Sequence, residues 1–168
     1  LEGDLPKVDT VKKGDAIFAL KSSGIHSNGY SLIRKMMEEY SISLEDKISE
    51  MGGITVADAI LEPTRLYVNQ ALKANATGLV KSMAHITGGG LLENIERSLP
   101  DGLKANIEPS TLYAHDIFEW IKNVGIKHEV MMKTFNMGYG FSFIADENSW
   151  DILESAVGEE LILIGNVA

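Results

Sequence analysis

The stretch Ala16-Ile17-Phe18-Ala19-Leu20-Lys21-Ser22-Ser23-Gly24-Ile25-His26-Ser27-Asn28-Gly29-Tyr30-Ser31-Leu32-Ile33 joins an apolar run to a segment with helical spacing. Residues 16–20 are short, apolar and β-prone, the pattern of a buried strand. From Tyr30 the apolar positions Leu32, Ile33, Met36 and Met37 recur at helical intervals, which predicts a helix over 30–39 capped by Ser27 or Asn28. Between the two lies a small, polar, glycine-containing loop that opens a helix. Backbone N–H groups face outward at such a place and suit an anion, most often a phosphate. The same residues read equally as a plain turn, with Ser23, Gly24 and Asn28 forming the bend and the cap.

Working outward, residues 4–13 are polar, contain Pro6, and read as a lead-in segment or edge strand. Residues 40–53 are mixed and polar, a surface excursion with short helical pieces, and 54–61 is apolar but brief. Pro63-Thr64 starts a predicted helix with Tyr67, Val68, Ala71 and Leu72 on one face and Gly78 beyond its end. A second strand over 79–86 runs through Thr87-Gly88-Gly89-Gly90 into a helix whose core stripe is Leu91, Leu92, Ile95 and Leu99, stopped by Pro100. A strand over 103–107 follows, then a helix over 116–124 burying Ile117, Trp120, Ile121 and Val124, with Gly125 at its end. Residues 128–135 suggest a short helix, 139–145 a strand with alternating aromatics, 150–157 a helix capped by Ser149, and 161–164 a last strand. Strands and helices alternate throughout, so the class is α/β or α+β, with helices packed on a sheet.

With 168 residues, 45% of them apolar and 23% charged, the chain has the balance of one globular domain. A net charge of −9 without a basic block disfavours nucleic acid as a partner. No apolar run is long enough to span a bilayer, and the start does not read as a signal peptide. The absence of cysteine excludes disulfides, thiolate nucleophiles and Cys-ligated zinc, and fits a cytoplasmic protein. The opening Leu1-Glu2-Gly3-Asp4 lacks methionine and reads as the start of a piece cut from something longer.

Several loops could carry chemistry. Gly24 and Gly29 have the G-x-x-x-x-G spacing of a phosphate-binding P-loop, and Ser31 stands where its metal-binding hydroxyl would be. Tyr30 occupies the lysine position, so the loop cannot neutralise β/γ-phosphates in the P-loop manner. His26 suits a proton carrier or phosphate donor, because its charge changes near neutral pH; a solvated loop histidine fits as well. Thr87-Gly88-Gly89-Gly90 repeats the design of strand, small residues and helix. Three glycines are costly in conformational entropy but let a ligand approach the backbone closely. Glu93 in the following turn would repel an anion, although it suits the helix dipole. Asn136, in Phe135-Asn136-Met137-Gly138, reads as a substrate-orienting amide or as a turn former. Arg65 is one cation near a predicted helix start. No nucleophile elbow, no paired histidines at metal spacing and no aspartate cluster for Mg²⁺ is evident.

Taken together, the segments 22–32, 63–68 (Pro-Thr-Arg-Leu-Tyr-Val), 84–95 (Ala-His-Ile-Thr-Gly-Gly-Gly-Leu-Leu-Glu-Asn-Ile) and 134–140 (Thr-Phe-Asn-Met-Gly-Tyr-Gly) resemble the C-terminal domain of the aminoimidazole ribonucleotide synthetase family, the phosphoribosylformylglycinamidine cyclo-ligases. The glycine loops alone also fit the wider superfamily, with its thiamine-monophosphate kinases and formylglycinamidine synthases; the Pro-Thr-Arg and Phe-Asn-Met-Gly segments favour the cyclo-ligase. The resemblance implies a three-layer α/β/α domain with a mixed sheet, partly ferredoxin-like, spanning residues 1–168. It implies a preceding N-terminal domain that binds Mg²⁺ and ATP and pairs two subunits, and no cofactor held by this chain alone. It implies a reaction in which ATP phosphorylates a formyl amide oxygen of formylglycinamidine ribonucleotide. An amidine nitrogen then closes the imidazole ring, giving the aminoimidazole ribonucleotide of purine biosynthesis. On that footing Ser27, Asn28 and Gly29 with Thr87, Gly88, Gly89 and Gly90 line the substrate side of a cleft, His26 is the catalytic donor or proton carrier, and Asn136 orients substrate. Other readings are another ATP-using member, such as a small-molecule kinase, or a module that only packs against a partner domain.

Overall fold

A computed structural model describes residues 5–168; Leu1 to Asp4, with Asp4 the first residue of the lead-in segment, lie outside them. Five strands form the main sheet: β1 (Ala16–Lys21), β4 (Ser82–His85), β5 (Ala105–Ile107), β6 (Tyr139–Ala145) and β7 (Ile162–Val167), in the order β4-β6-β1-β7-β5. A two-stranded hairpin, β2 (Lys47–Ile48) and β3 (Ile54–Thr55), stands apart. Every ladder of the main sheet is antiparallel, so the expected mixed sheet is corrected on this point. Strand direction depends on which distant strands pair, and local alternation does not carry it.

The helices are α1 (Tyr30–Glu39), α2 (Val56–Leu61), α3 (Val68–Ala76), α4 (Gly90–Glu96), α5 (Asp116–Val124), α6 (His128–Met132) and α7 (Trp150–Val157). Side chains alternate across β1, so that Ile17 and Ala19 enter one apolar cluster while Ala16, Phe18 and Leu20 enter another. The first cluster gathers Ile33 and Met36 of α1, Leu91 and Ile95 of α4, and Ile117 and Ile121 of α5. The second receives Ala74 of α3 with Leu153 and Val157 of α7. Helices thus cover both faces, giving the expected three layers. Strands β1, β4, β6 and β7 have the order of a split β-α-β fold, with α3 and α7 as its two crossover helices packed side by side. The partly ferredoxin-like expectation holds, with β5 added at one edge.

Local departures have local causes. Residues 8–10 form a 3₁₀ turn instead of an edge strand, closed by the Thr10 N–H and hydroxyl on the Lys7 carbonyl. The helix expected from Pro63 begins only at Val68, because residues 63–67 are drawn away by bonds to Lys21 at the end of β1 and to Ser23 in the loop after it. Its buried positions are consequently Tyr67 and Ala74, whereas Val68 and Leu72 are each 64% exposed. Leu92 likewise faces outward beside the buried Leu91 and Ile95. Ser149 sits at the start of α7 without a side-chain cap, and Asp146 caps the 3₁₀ turn before it. The hairpin region contributes the buried Ile48, so 40–53 is not wholly a surface excursion.

One ion pair closes the end of the sheet opposite the C-terminus of β1. Asp15 is buried, pairs with Lys81 and accepts the Lys12 N–H, while its carbonyl takes the Val167 N–H. Removing only the lysine leaves a buried carboxylate without its cation. We expect Lys81→Met to lower unfolding free energy by about 3 kcal/mol and the double change with Asp15→Asn to recover most of it. Urea denaturation of the variants checks this; equal loss in both would dismiss the pair as a stabilising unit.

Candidate functional site

Three loops meet at one end of the sheet: residues 22–29 after β1, 86–89 after β4, and 133–138 before β6. Their convergence follows from pairing. β6 lies between β1 and β4 and runs against both, so the ends of β1 and β4 and the start of β6 share one edge. Backbone bonds fasten them, from Ser22 N–H to the Gly138 carbonyl, from Ile86 N–H to Gly140, and from Leu91 N–H to Phe135.

Within the first loop, His26 and Ser27 both hold positive φ, 52° and 57°, which is uncommon for residues with a side chain. The conformation is held by the His26 ring. Its Nε2 accepts the N–H of Ser23 at 3.0 Å and that of Arg65 at 3.5 Å. The Ser23 hydroxyl lies 3.1 Å from the same nitrogen and gives its proton to the Pro63 carbonyl at 2.7 Å. An accepting Nε2 places the ring proton on Nδ1, which is buried and has no partner among the described residues. Burial, together with the nearby His85, Arg65 and His115, pushes the His26 pKa down from 6.5 to about 4. His26 is therefore a neutral, 4%-exposed organiser of the loop. The geometry thus gives the ring a loop-holding part where a phosphate donor or proton carrier was expected: Nε2 is engaged by backbone N–H groups and Nδ1 is buried.

Asn136 is placed in the same way. Its side chain is buried; Oδ1 accepts the Ser22 hydroxyl and the Gly138 N–H, and Nδ2 donates to the Gly24 carbonyl. Its amide thus ties the first loop to the third and does not face a ligand. The other expected residues are at the surface or near it. Ser27 is exposed, and Asn28 is half-buried with its amide on the His26 carbonyl. Neither caps α1; Gly29 occupies the cap position with φ 73°, and its carbonyl takes the Ile33 N–H. A side chain on Gly29 would overlap the Phe135 ring, so this close crossing requires glycine. A Cβ on Gly88 would stand 3.7 Å from Asn28 Oδ1, which shows the first and second loops facing one another. Thr87 and Gly88 are exposed, Gly89 is half-buried, and Gly90 is buried against the Met132 carbonyl.

Four residues that sequence reasoning passed over or read otherwise shape the site. Tyr67 donates to the Lys21 carbonyl at 2.8 Å, and burial raises the pKa of its phenol, keeping it a donor. Arg65 lies over the Tyr67 ring, donates to Lys21 O and pairs with Glu159, so it is a partnered side chain and not a free cation. His85 stacks on Phe141 at the exposed edge of the sheet. Asn94, in the first turns of α4, donates to carbonyls of the glycine loop. Its position four residues after Gly90 was the available signal, since a polar residue there faces back along the helix. Beside Tyr67 a shallow apolar groove of about 330 Å³ is bordered by Leu66, Val68, Leu72, His85 and Phe141. Among the described residues no group of three or more His, Cys, Asp or Glu side chains is arranged to hold a metal, and no helix is long and apolar enough to cross a membrane. The donor set therefore does not fit a Mg²⁺ centre within these residues.

Residues 12–168 match the profile of the AIR synthase related protein family, C-terminal domain. The phosphoribosylformylglycinamidine cyclo-ligase of Exiguobacterium is 40% identical over 98% of the chain and 48% of its own length. The cyclo-ligase of Staphylococcus saprophyticus is 44% identical over 83% of the chain and 40% of its own length. A bifunctional purine biosynthetic protein of Pichia angusta is 39% identical over 99% of the chain and 22% of its length. The chain thus spans at most about half the length of these relatives. Among solved structures, a thiamine-monophosphate kinase from Stenotrophomonas maltophilia superposes with a TM-score of 0.61 at 17% identity, over 99% of the chain and 51% of that protein, which shows a shared fold.

The His26 geometry carries a pH dependence of fixed sign. The folded chain favours the neutral ring, so its contribution to stability is complete above about pH 6.5 and is lost as pH falls from there toward 4. A His26→Gln variant should show a flatter urea-midpoint profile between pH 6.5 and 4 than the parent chain. Superimposable slopes would mean that the ring titrates as freely folded as unfolded.

Proposed function

Because the chain belongs to the AIR synthase related family and spans its C-terminal domain, we propose that it forms one wall of the active-site cleft of a cytoplasmic, ATP-dependent cyclo-ligase. The substrate is formylglycinamidine ribonucleotide and the product aminoimidazole ribonucleotide, as the names of the purine-biosynthetic relatives suggest. The observation that carries the local part of this reading is the facing of two small-residue loops, Ser27-Asn28-Gly29 and Thr87-Gly88-Gly89-Gly90, at one end of the sheet, close enough that a Cβ on Gly88 would stand 3.7 Å from Asn28 Oδ1.

The chemistry suits such a wall. Phosphorylating a formyl amide oxygen and letting an amidine nitrogen close the ring needs the reacting atoms held in line and charge stabilised; a protein nucleophile is not required. Ser27, Asn28 and the glycine loop supply polar groups and close backbone approach. His26 and Asn136 act behind them, fixing the curvature of the first loop and its junction with the third. ATP and Mg²⁺ are assigned to a preceding domain, which also pairs two subunits. The apolar groove beside Tyr67, where Leu66 is 82% exposed, is the face that domain would cover, excluding water from the cleft.

In the complete enzyme, His26→Ala and Gly89→Val should each lower kcat/KM for the ribonucleotide at least tenfold with the fold retained. At Gly89 φ is 98°, and a Cβ would lie 2.9 Å from the Glu93 carboxylate, so valine there distorts the loop. Unchanged kcat/KM in both variants would remove these loops from the cleft. Release of a phosphorylated substrate in place of a ring-closed product would make the enzyme a kinase.

A further inference from the structure

Asn28 is the only asparagine of the chain that precedes a glycine; every other asparagine precedes a residue with a side chain. That pairing is reactive in water. A backbone nitrogen held beside the side-chain carbonyl of the preceding asparagine can close a five-membered ring on it. A following residue without a Cβ leaves that approach unobstructed.

The fold keeps the conditions for this reaction in place. Packing requires glycine at 29, because a Cβ there would overlap the Phe135 ring and stand 2.8 Å from Thr134 Cγ2. The Gly29 N–H has no partner among the described residues, so no hydrogen bond withholds its nitrogen. Both residues lie between β1 and α1, outside any ladder or helix. The Asn28 side chain is half-buried and tied by one bond, from Nδ2 to the His26 carbonyl at 2.9 Å. Asn148 supplies a contrast within the same chain. It is more exposed, but Ser149 follows it, and its N–H and its side-chain amide are both bonded to Asp146.

We propose that Asn28 is a site of spontaneous deamidation and that its conversion weakens ribonucleotide binding at the first loop. The Gly29 nitrogen gives its proton to hydroxide and bonds to Asn28 Cγ; the Cγ–Nδ2 bond breaks and ammonia leaves. Water then opens the cyclic imide at either carbonyl, giving aspartate or isoaspartate with no change of oxidation state. Either product removes the donor to the His26 carbonyl and places a carboxylate at residue 28, whose side chain faces Gly88. Isoaspartate also lengthens the backbone by one carbon beside the close crossing with Phe135. A fixed negative charge in this place repels an anionic ribonucleotide. That consequence, unlike the modification itself, rests on the reading of the two loops as a substrate-facing wall.

The test incubates the full-length enzyme in mildly alkaline buffer and follows each asparagine by peptide mass spectrometry, with isoaspartate counted by enzymatic methylation. Converted protein is separated by its added charge, and its KM for formylglycinamidine ribonucleotide is measured. Asn28 should convert about tenfold faster than Asn148, or more, because only Asn28 is followed by glycine. KM of the converted protein should rise by about tenfold through like-charge repulsion, and Asn28→Asp should show the same rise without incubation. Asn28→Gln, whose extra methylene disfavours the five-membered ring, should keep its own starting KM throughout. Conversion of Asn28 no faster than that of Asn148 overturns the modification site and leaves the cleft standing. Rapid conversion with KM unchanged, in the converted protein and in Asn28→Asp alike, overturns the effect on binding and removes Asn28 from the cleft. The time course of the unmodified protein decides the first point even where a variant does not fold.

Discussion

Three irregular segments packed together at a sheet edge face one constraint: each N–H and carbonyl taken from water there needs a partner. Helices and ladders satisfy this internally, and loops cannot. In this chain one buried polar side chain answers for each loop. His26 Nε2 collects the N–H groups of Ser23 and Arg65, Asn136 joins Gly24 to Gly138, and Asn94 gathers three carbonyls around the glycines. Each works only in one chemical form. A protonated imidazole could not accept those N–H groups, and neither amide can be replaced by a carboxylate without losing its donors. The loops are therefore held by groups that are uncharged in the folded chain.

That arrangement explains why these residues read differently in the sequence and in the structure. A histidine and an asparagine in polar, glycine-containing loops have the chemistry of ligand groups, and nothing local says which way they point. Direction is set by distant partners: Pro63 and Arg65 for the His26 loop, Gly24 for Asn136. The residues left facing outward, Ser27, Thr87 and Gly88, are the small ones.

The same distinction runs through the fold. Helix α5 and strand β6 were legible to the residue, since Ile117, Trp120 and Ile121 mark one helical face and alternating aromatics mark a strand packed on both sides. Helix α3 was misread at its start because Pro63 is a good first-turn residue locally. Tertiary bonds, from the Ser23 hydroxyl to the Pro63 carbonyl and from Arg65 and Tyr67 to the Lys21 carbonyl, outweigh that preference and keep 63–67 out of the helix. Strand direction was illegible for a related reason: pairing β1 with both β6 and β7 joins residues more than a hundred positions apart.

Those long-range pairings also account for where the loops lie. In the order β4-β6-β1-β7 the two crossover helices, α3 and α7, occupy one face, and the remaining helices cover the other. The edge at which β1 and β4 end is left to loops, because each must turn there toward a helix on one face or the other. A strand-to-helix turn with little room favours small residues, and small residues leave backbone exposed. The topology thus generates a polar, side-chain-poor edge before any ligand is considered, and Tyr67 with Phe141 and His85 gives it an apolar flank. A surface with donors at its centre and an apolar shoulder at its side is suited to be closed by a second body, since covering the shoulder dries the donors and strengthens their interaction with charge.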